Sequence, residues 1–205
     1  WGPARAWTGD RLLVWGGRTP TNVDGGEETP GRSTDVGAMI RIGDPTPPAS
    51  ENAWYEIAPA PIGEREGHIG LWTGDEMFVW GGRRVDGGAV TEGLDQGVRV
   101  EYDAADVLHR GQSDGALYDP TTDTWRAIPD APFAGHYRHR GAWTGSDVLV
   151  VGRQQSESVD AARFDPTSTR WVSAATPDIE ADVTLMLGTN DGVLLFAGAL
   201  ADDTA

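Results

Sequence analysis

Three of the four histidines fall in two short connectors, where they are interleaved with arginines: Gly63-Glu64-Arg65-Glu66-Gly67-His68 and Gly135-His136-Tyr137-Arg138-His139-Arg140. Such a grouping suits a carboxylate or another anionic group. A guanidinium holds a carboxylate through paired hydrogen bonds, and imidazole exchanges a proton near neutrality. The candidate ligand-binding residues are therefore Arg65, His68, His136, Arg138, His139 and Arg140. The same residue types also serve a framework: arginines can tie connectors to carbonyls or to Glu64 and Glu66, and histidines can fill polar core positions. His136 and His139 could share a metal with a third histidine, but no carboxylate or cysteine stands beside them at ligand spacing. Asp24-Gly25-Gly26-Glu27-Glu28 and Asp86-Gly87-Gly88 do not match the twelve-residue calcium loop. No metal and no cofactor are expected. With no cysteine and no glycine-rich phosphate loop, no catalytic residue is assigned.

The two connectors occupy matching places in a repeat. "AWTGDRLLVWGG" runs from Ala6, "LWTGDEMFVWGG" from Leu71, "AWTGSDVLVVGR" from Ala142 and a decayed "LGTNDGVLLFAG" from Leu187. His68 and His139 each stand four residues before the tryptophan of their copy, Trp72 or Trp143. In every copy an apolar run of about four residues precedes the closing glycine, a length that suits a strand and not a helix. The Thr-Gly-Asp or Thr-Gly-Ser before that run is hairpin-turn chemistry. A second hairpin follows. "GALYDPTTDTW" from Gly115 and "AARFDPTSTRW" from Ala161 share an aromatic, Asp-Pro and a tryptophan six residues after the aspartate, which reads as two strands joined by a turn. The first repeat stretches this turn, from Asp44-Pro45 to Trp54.

Each repeat is thus four strands, a to d. A single such sheet cannot bury both faces, so copies must stack, and stacked four-stranded sheets are the blades of a β-propeller. The glycine pairs Gly16-Gly17 and Gly81-Gly82, the Tyr118 to Trp125 spacing and the Trp-Thr-Gly before the second strand resemble Kelch repeats, in the bacterial and galactose-oxidase-like style. The third and last repeats depart from the pattern with Gly152-Arg153 and Ala197-Gly198, and the first has Ile40 or Ile42 where tyrosine is usual. The resemblance implies an all-β fold: a partial Kelch-type propeller of three four-stranded blades plus two strands of a fourth. The blades divide at about 1–62, 63–132 and 133–177, with a half blade over 178–199 and a tail over 200–205. Kelch enzymes include copper radical oxidases and sialic-acid epimerases. The radical oxidases need a cysteine-linked tyrosine, which these residues lack.

Thirty-two acidic against sixteen basic side chains give a net charge of −16, which disfavours a nucleic-acid partner. No apolar run approaches a membrane span of about 18 residues, and no signal peptide is visible in these residues. Three and a half blades are too few for a closed ring, since propellers have about four to eight. The expectation is a piece of a longer protein, its remaining blades coming from missing chain or from a partner. Two copies would total seven blades, but the missing c and d strands would then have to come from an N-terminus that begins near strand a.

Strand alternation puts the d-to-a connectors and b-to-c loops on one face. The interval from the closing-glycine position to the Asp-Pro aspartate is 27 residues in the first repeat, 37 in the second and 12 in the third. Elaborated loops on a rigid scaffold are where function gathers. The expected function is a non-catalytic module that binds a protein or glycan on that face, outside the cytoplasm. The alternative is the propeller portion of a sugar-active enzyme, epimerase-like or oxidase-like, with an Arg/His-lined channel.

Overall fold

The computed structural model describes residues 2–20, 22–24, 27–29, 31–41, 54–84, 111–133, 139–153, 159–178, 182–189 and 192–198, with backbone alone at 22–24, 27–29, 153 and 182. The described chain is all strand and turn, without a helix. The first repeat contributes β1 (Ala4–Trp7) and β2 (Arg11–Trp15), a small hairpin of β3 (Asn22–Asp24) and β4 (Glu27–Thr29), then β5 (Gly37–Arg41) and β6 (Trp54–Glu56). The second forms β7 (Ile69–Trp72), β8 (Met77–Trp80), β9 (Gly115–Asp119) and β10 (Thr124–Ile128). The third forms β11 (Arg140–Trp143), β12 (Val148–Arg153), β13 (Val159–Asp165) and β14 (Arg170–Ser173), and the last β15 (Asp182–Thr189) and β16 (Gly192–Gly198).

These strands hydrogen-bond as three four-stranded antiparallel sheets, β1-β2-β5-β6, β7-β8-β9-β10 and β11-β12-β13-β14, followed by the two-stranded β15-β16. The arrangement is that of a partial propeller. The first hairpins share one register: Trp7 pairs with Leu12, Trp72 with Met77, Trp143 with Val148 and Gly188 with Val193. First strands of successive sheets lie side by side, β1 by β7, β7 by β11 and β11 by β15. One expectation needs correcting. The added chain between β2 and β5 is not all loop, because β3 and β4 pair there, with Asp24 opposite Glu27.

The turns are built by the side chains that the repeat keeps. Thr73 and Thr144 donate both N–H and hydroxyl to the carbonyls of Glu76 and Asp147, and Gly74 and Gly145 between them take φ of 106° and 100°. In the second turns Asp119 Oδ1 accepts the Thr121 N–H at 2.7 Å, and Asp165 Oδ1 accepts that of Thr167 at 2.8 Å. Asp44-Pro45, the stretched version, lies outside the described residues.

The core sits between sheets. Leu13 and Trp15 of the first sheet pack with Met77, Val79 and Tyr118 of the second, and Phe78 and Trp80 of the second pack with Val148, Val150 and Phe164 of the third. β8 is buried on both faces, as a continuous apolar run between two neighbours must be. Polar ties stitch the same seams. Trp125 Nε1 donates to Ala58 O and Trp171 Nε1 to Pro129 O, so each indole also satisfies a connector carbonyl. Arg126 is hydrogen-bonded to Glu76 in its own sheet and to Pro166 O and Thr169 Oγ1 in the next.

Candidate binding face

The connector 63–68 lies between the feet of two b-to-c segments and is hydrogen-bonded to both. On one side Gly17 N–H donates to Arg65 O and Arg65 N–H to Thr34 O. On the other, Glu66 and Arg83 exchange both backbone hydrogen bonds, at 2.8 and 3.0 Å, and Gln112 N–H donates to Gly82 O. The result is a belt of single bridges around the face: Arg18 with Ser33, Thr34 with Arg65, Glu66 with Arg83 and Arg83 with Gly111. Glycine at 82 is required by this closeness. Its φ is 83°, and a Cβ there would meet Glu66 O at 2.6 Å.

The connector's side chains turn inward. Arg65 is 1% exposed. Its Nη1 and Nη2 reach the two carboxylate oxygens of Asp114, its Nη1 also reaches Gly81 O, and its Nε reaches Gly63 O. One guanidinium thereby holds both roots of the longest b-to-c segment, Gly81 just after β8 and Asp114 just before β9. Glu66, fully buried, accepts from Arg83 Nε at 2.8 Å through Oε1, and its Oε2 has no hydrogen-bond partner among the described residues. At the rim, Arg84 pairs with Glu64 at 2.9 Å.

His68 reaches back into the first sheet. Its Nε2 lies 3.1 Å from both Ala4 N and Trp15 O, the tautomer deciding which hydrogen bond forms, and its ring meets Trp15 edge-on at 5.2 Å. Burial lowers its pKa to about 4 against the raising effect of the Trp15 carbonyl, and the Arg65 charge lowers it further. The imidazole is neutral at pH 7. His139 repeats the arrangement one sheet on: it is buried, edge-on to Trp80 at 5.0 Å and stacked on Phe133 at 5.2 Å. Gly152 leaves room for it, since a Cβ there would lie 2.1 Å from the His139 ring. Arg140 Nε donates to Thr184 O of β15, joining the third sheet to the last.

Of the six residues singled out in the sequence, Arg65 and His68 share one connector and His139 and Arg140 open the next, each engaged with a neighbouring sheet. His136 and Arg138 lie outside the described residues. Among the described residues no three histidine, aspartate or glutamate side chains converge as a metal site would need. No described helix is long and apolar enough to cross a membrane. Sequence reasoning offered Glu66 as a partner for the connector arginines but missed Arg83, which holds it, and Asp114, which holds Arg65, although the arginine directly after each of the first two glycine pairs, Arg18 and Arg83, was a repeated signal. It also missed Gly111-Gln112-Ser113-Asp114-Gly115, which has the Gly-x-Ser-x-Gly spacing of a hydrolase nucleophile turn. That turn leads from a strand into a helix, whereas this stretch leads into β9. The Ser113 carbonyl accepts from Trp80 Nε1 and from Ala131 N–H.

No family model matches the chain, and no curated protein matches it. Among solved structures it is similar to the structure of YjhT, with a TM-score of 0.68 and 16% identity over 94% of this chain. The likeness shows a shared fold. The match covers 57% of the YjhT chain, so these residues span little more than half the length of that protein.

Proposed function

We propose that this chain is a non-catalytic, Kelch-type binding module that takes a protein or glycan on the face carrying the d-to-a connectors and the b-to-c segments. The observation that carries the reading is where the connector's polar groups go. Arg65 and Glu66 are turned inward against carbonyls and opposite charges at the feet of the longest b-to-c segment, and His68 is turned inward against Ala4 and Trp15. A general acid or base has to reach a substrate proton, and a neutral, buried His68 held against Ala4 and Trp15 is a framework group. What remains for recognition is the elaborated b-to-c chain, whose described roots at Arg83 and Gly111 are tied to a fixed belt, since loops on rigid scaffolds are where binding roles gather. Propellers carry many unrelated activities, so the support comes from this site and not from the fold.

Replacing residues 85–110 by a short Gly-Ser linker tests the reading. It predicts an unfolding midpoint close to that of the parent together with loss of every ligand found on glycan and proteome microarrays. Retention of those ligands by the shortened chain refutes it. Turnover of a sugar substrate abolished by R65A or H68A while the chain stays folded would favour the enzyme alternative instead.

A further inference from the structure

His68 pins the connector 63–68 to the first sheet. Its Nε2 lies 3.1 Å from both Ala4 N and Trp15 O. The side chain is wedged between two strand ends: a Cβ on Gly16 would lie 2.8 Å from its Cε1, and one on Gly82 would lie 2.8 Å from its Cβ. The residues just before it carry the bridges to both b-to-c segments. Arg65 is hydrogen-bonded through its backbone to Gly17 and Thr34, and Glu66 to Arg83. A displacement of His68 therefore reaches both roots.

The wedge accommodates only a neutral imidazole. An imidazolium donates from both ring nitrogens. Nε2–H has the Trp15 carbonyl, but the buried Nδ1 has no hydrogen-bond partner among the described residues. Nor is there a counter-ion for the charge. Gly16 and Gly82 present no side chain, and β1 and β2 offer Ala4 and Trp15. In the connector, Glu64 and Glu66 are paired with Arg84 and Arg83, and Asp114 opposite is paired with Arg65. Burial disfavours the imidazolium most; the Trp15 carbonyl works the other way, and the Arg65 charge adds to burial.

We propose that His68 is an acid-sensitive fastener of the binding face: its protonation expels the ring from the first seam and frees the belt at Arg65 and Glu66, while the four-stranded sheets stay paired. The sheets persist because the seam beneath is apolar, Leu13 and Trp15 on Met77 and Val79. As regulation of the face, the device rests on the binding reading given above; the release itself does not, and it can be read without a ligand. Between pH 7 and 5 ordinary carboxylates keep their charge, so the histidines are what titrate. A group with pKa about 4 when closed and 6.5 when open raises the open fraction about twentyfold over that interval.

Hydrogen exchange followed by NMR, with protection factors corrected for the intrinsic rates at pH 7 and pH 5, tests this. The Gly17, Glu66, Arg83 and Gln112 amides should lose about twentyfold protection in the parent, by an opening insensitive to low urea. Amides of β8 and β9 should stay better protected than the belt at both pH values. In H68Q the belt amides should be equally protected at pH 7 and pH 5. In the parent, the His68 ring carbons should still report a neutral imidazole at pH 5, a measurement that stands even if H68Q does not fold. The proposal is overturned if belt and strand amides share one protection factor at each pH, if belt protection does not fall in the parent, if the fall persists in H68Q, or if His68 titrates near 6.5 in the folded chain.

Discussion

The guanidinium of Arg65 grips both oxygens of the Asp114 carboxylate, Nη1 to Oδ1 at 2.9 Å and Nη2 to Oδ2 at 3.1 Å, across the base of the longest b-to-c segment. Removing Asp114 leaves a 1% exposed cation without its partner. D114A should cost about 3 kcal/mol in urea unfolding, the low end for breaking a buried pair because Asp114 itself is 39% exposed. R65K should recover little of the loss from R65A, since an ammonium cannot bridge both oxygens and the two carbonyls.

His68 makes stability depend on pH. Its pKa is about 4 when folded against 6.5 for the free side chain, so between these values the unfolded chain holds a proton that the folded chain does not. Stability is therefore at its full value above pH 6.5 and declines as pH falls through that window, by about 3 kcal/mol in all. Denaturant unfolding of the parent and of H68Q from pH 7 to pH 4 should show the decline in the parent and a flatter profile in the variant.

Asp123 Oδ1 accepts both the Ala58 N–H at 2.9 Å and the Tyr118 hydroxyl at 2.7 Å, fastening the turn of the second sheet to the connector that follows the first. D123A should lower stability by about 2 kcal/mol, two hydrogen bonds to a charged acceptor being lost at once. Y118F should lose less, because the Ala58 contact survives; thermal unfolding of the two variants gives the ranking.

Two glycines separate strain from collision. G82A combines φ of 83° with a Cβ 2.6 Å from the Glu66 carbonyl, whereas G74A has φ of 106° and open space around it. Left-handed strain alone costs about 1–2 kcal/mol, so G74A should stay near that figure in unfolding experiments and G82A should exceed it, with Glu66 and Arg83 amides losing protection in hydrogen exchange.

The sheets were legible in the sequence because the repeat writes each hairpin with the same turn: once Trp7, Trp72, Trp143 and Gly188 are aligned, strands a and b follow, and the Asp119 and Asp165 turns supply c and d. The β3–β4 hairpin was not, since three-residue strands carry no periodic apolar signal. The connectors were legible as places but not as roles. That Arg65 would face Asp114 rather than a ligand depends on a pairing 49 residues apart, which neither spacing nor composition encodes. The inward turn of His68 and His139 follows from the Trp15 and Trp80 rings of the preceding sheet, a contact between repeats that no single repeat reveals.

The most direct test of the binding face compares the parent chain with the 85–110 replacement on glycan and proteome microarrays, with far-UV circular dichroism and unfolding midpoints confirming that both are folded. The account predicts ligands bound by the parent and lost from the replacement while the β-sheet signal is unchanged. The same ligands bound by both chains, or none bound by the parent on either array, would contradict it.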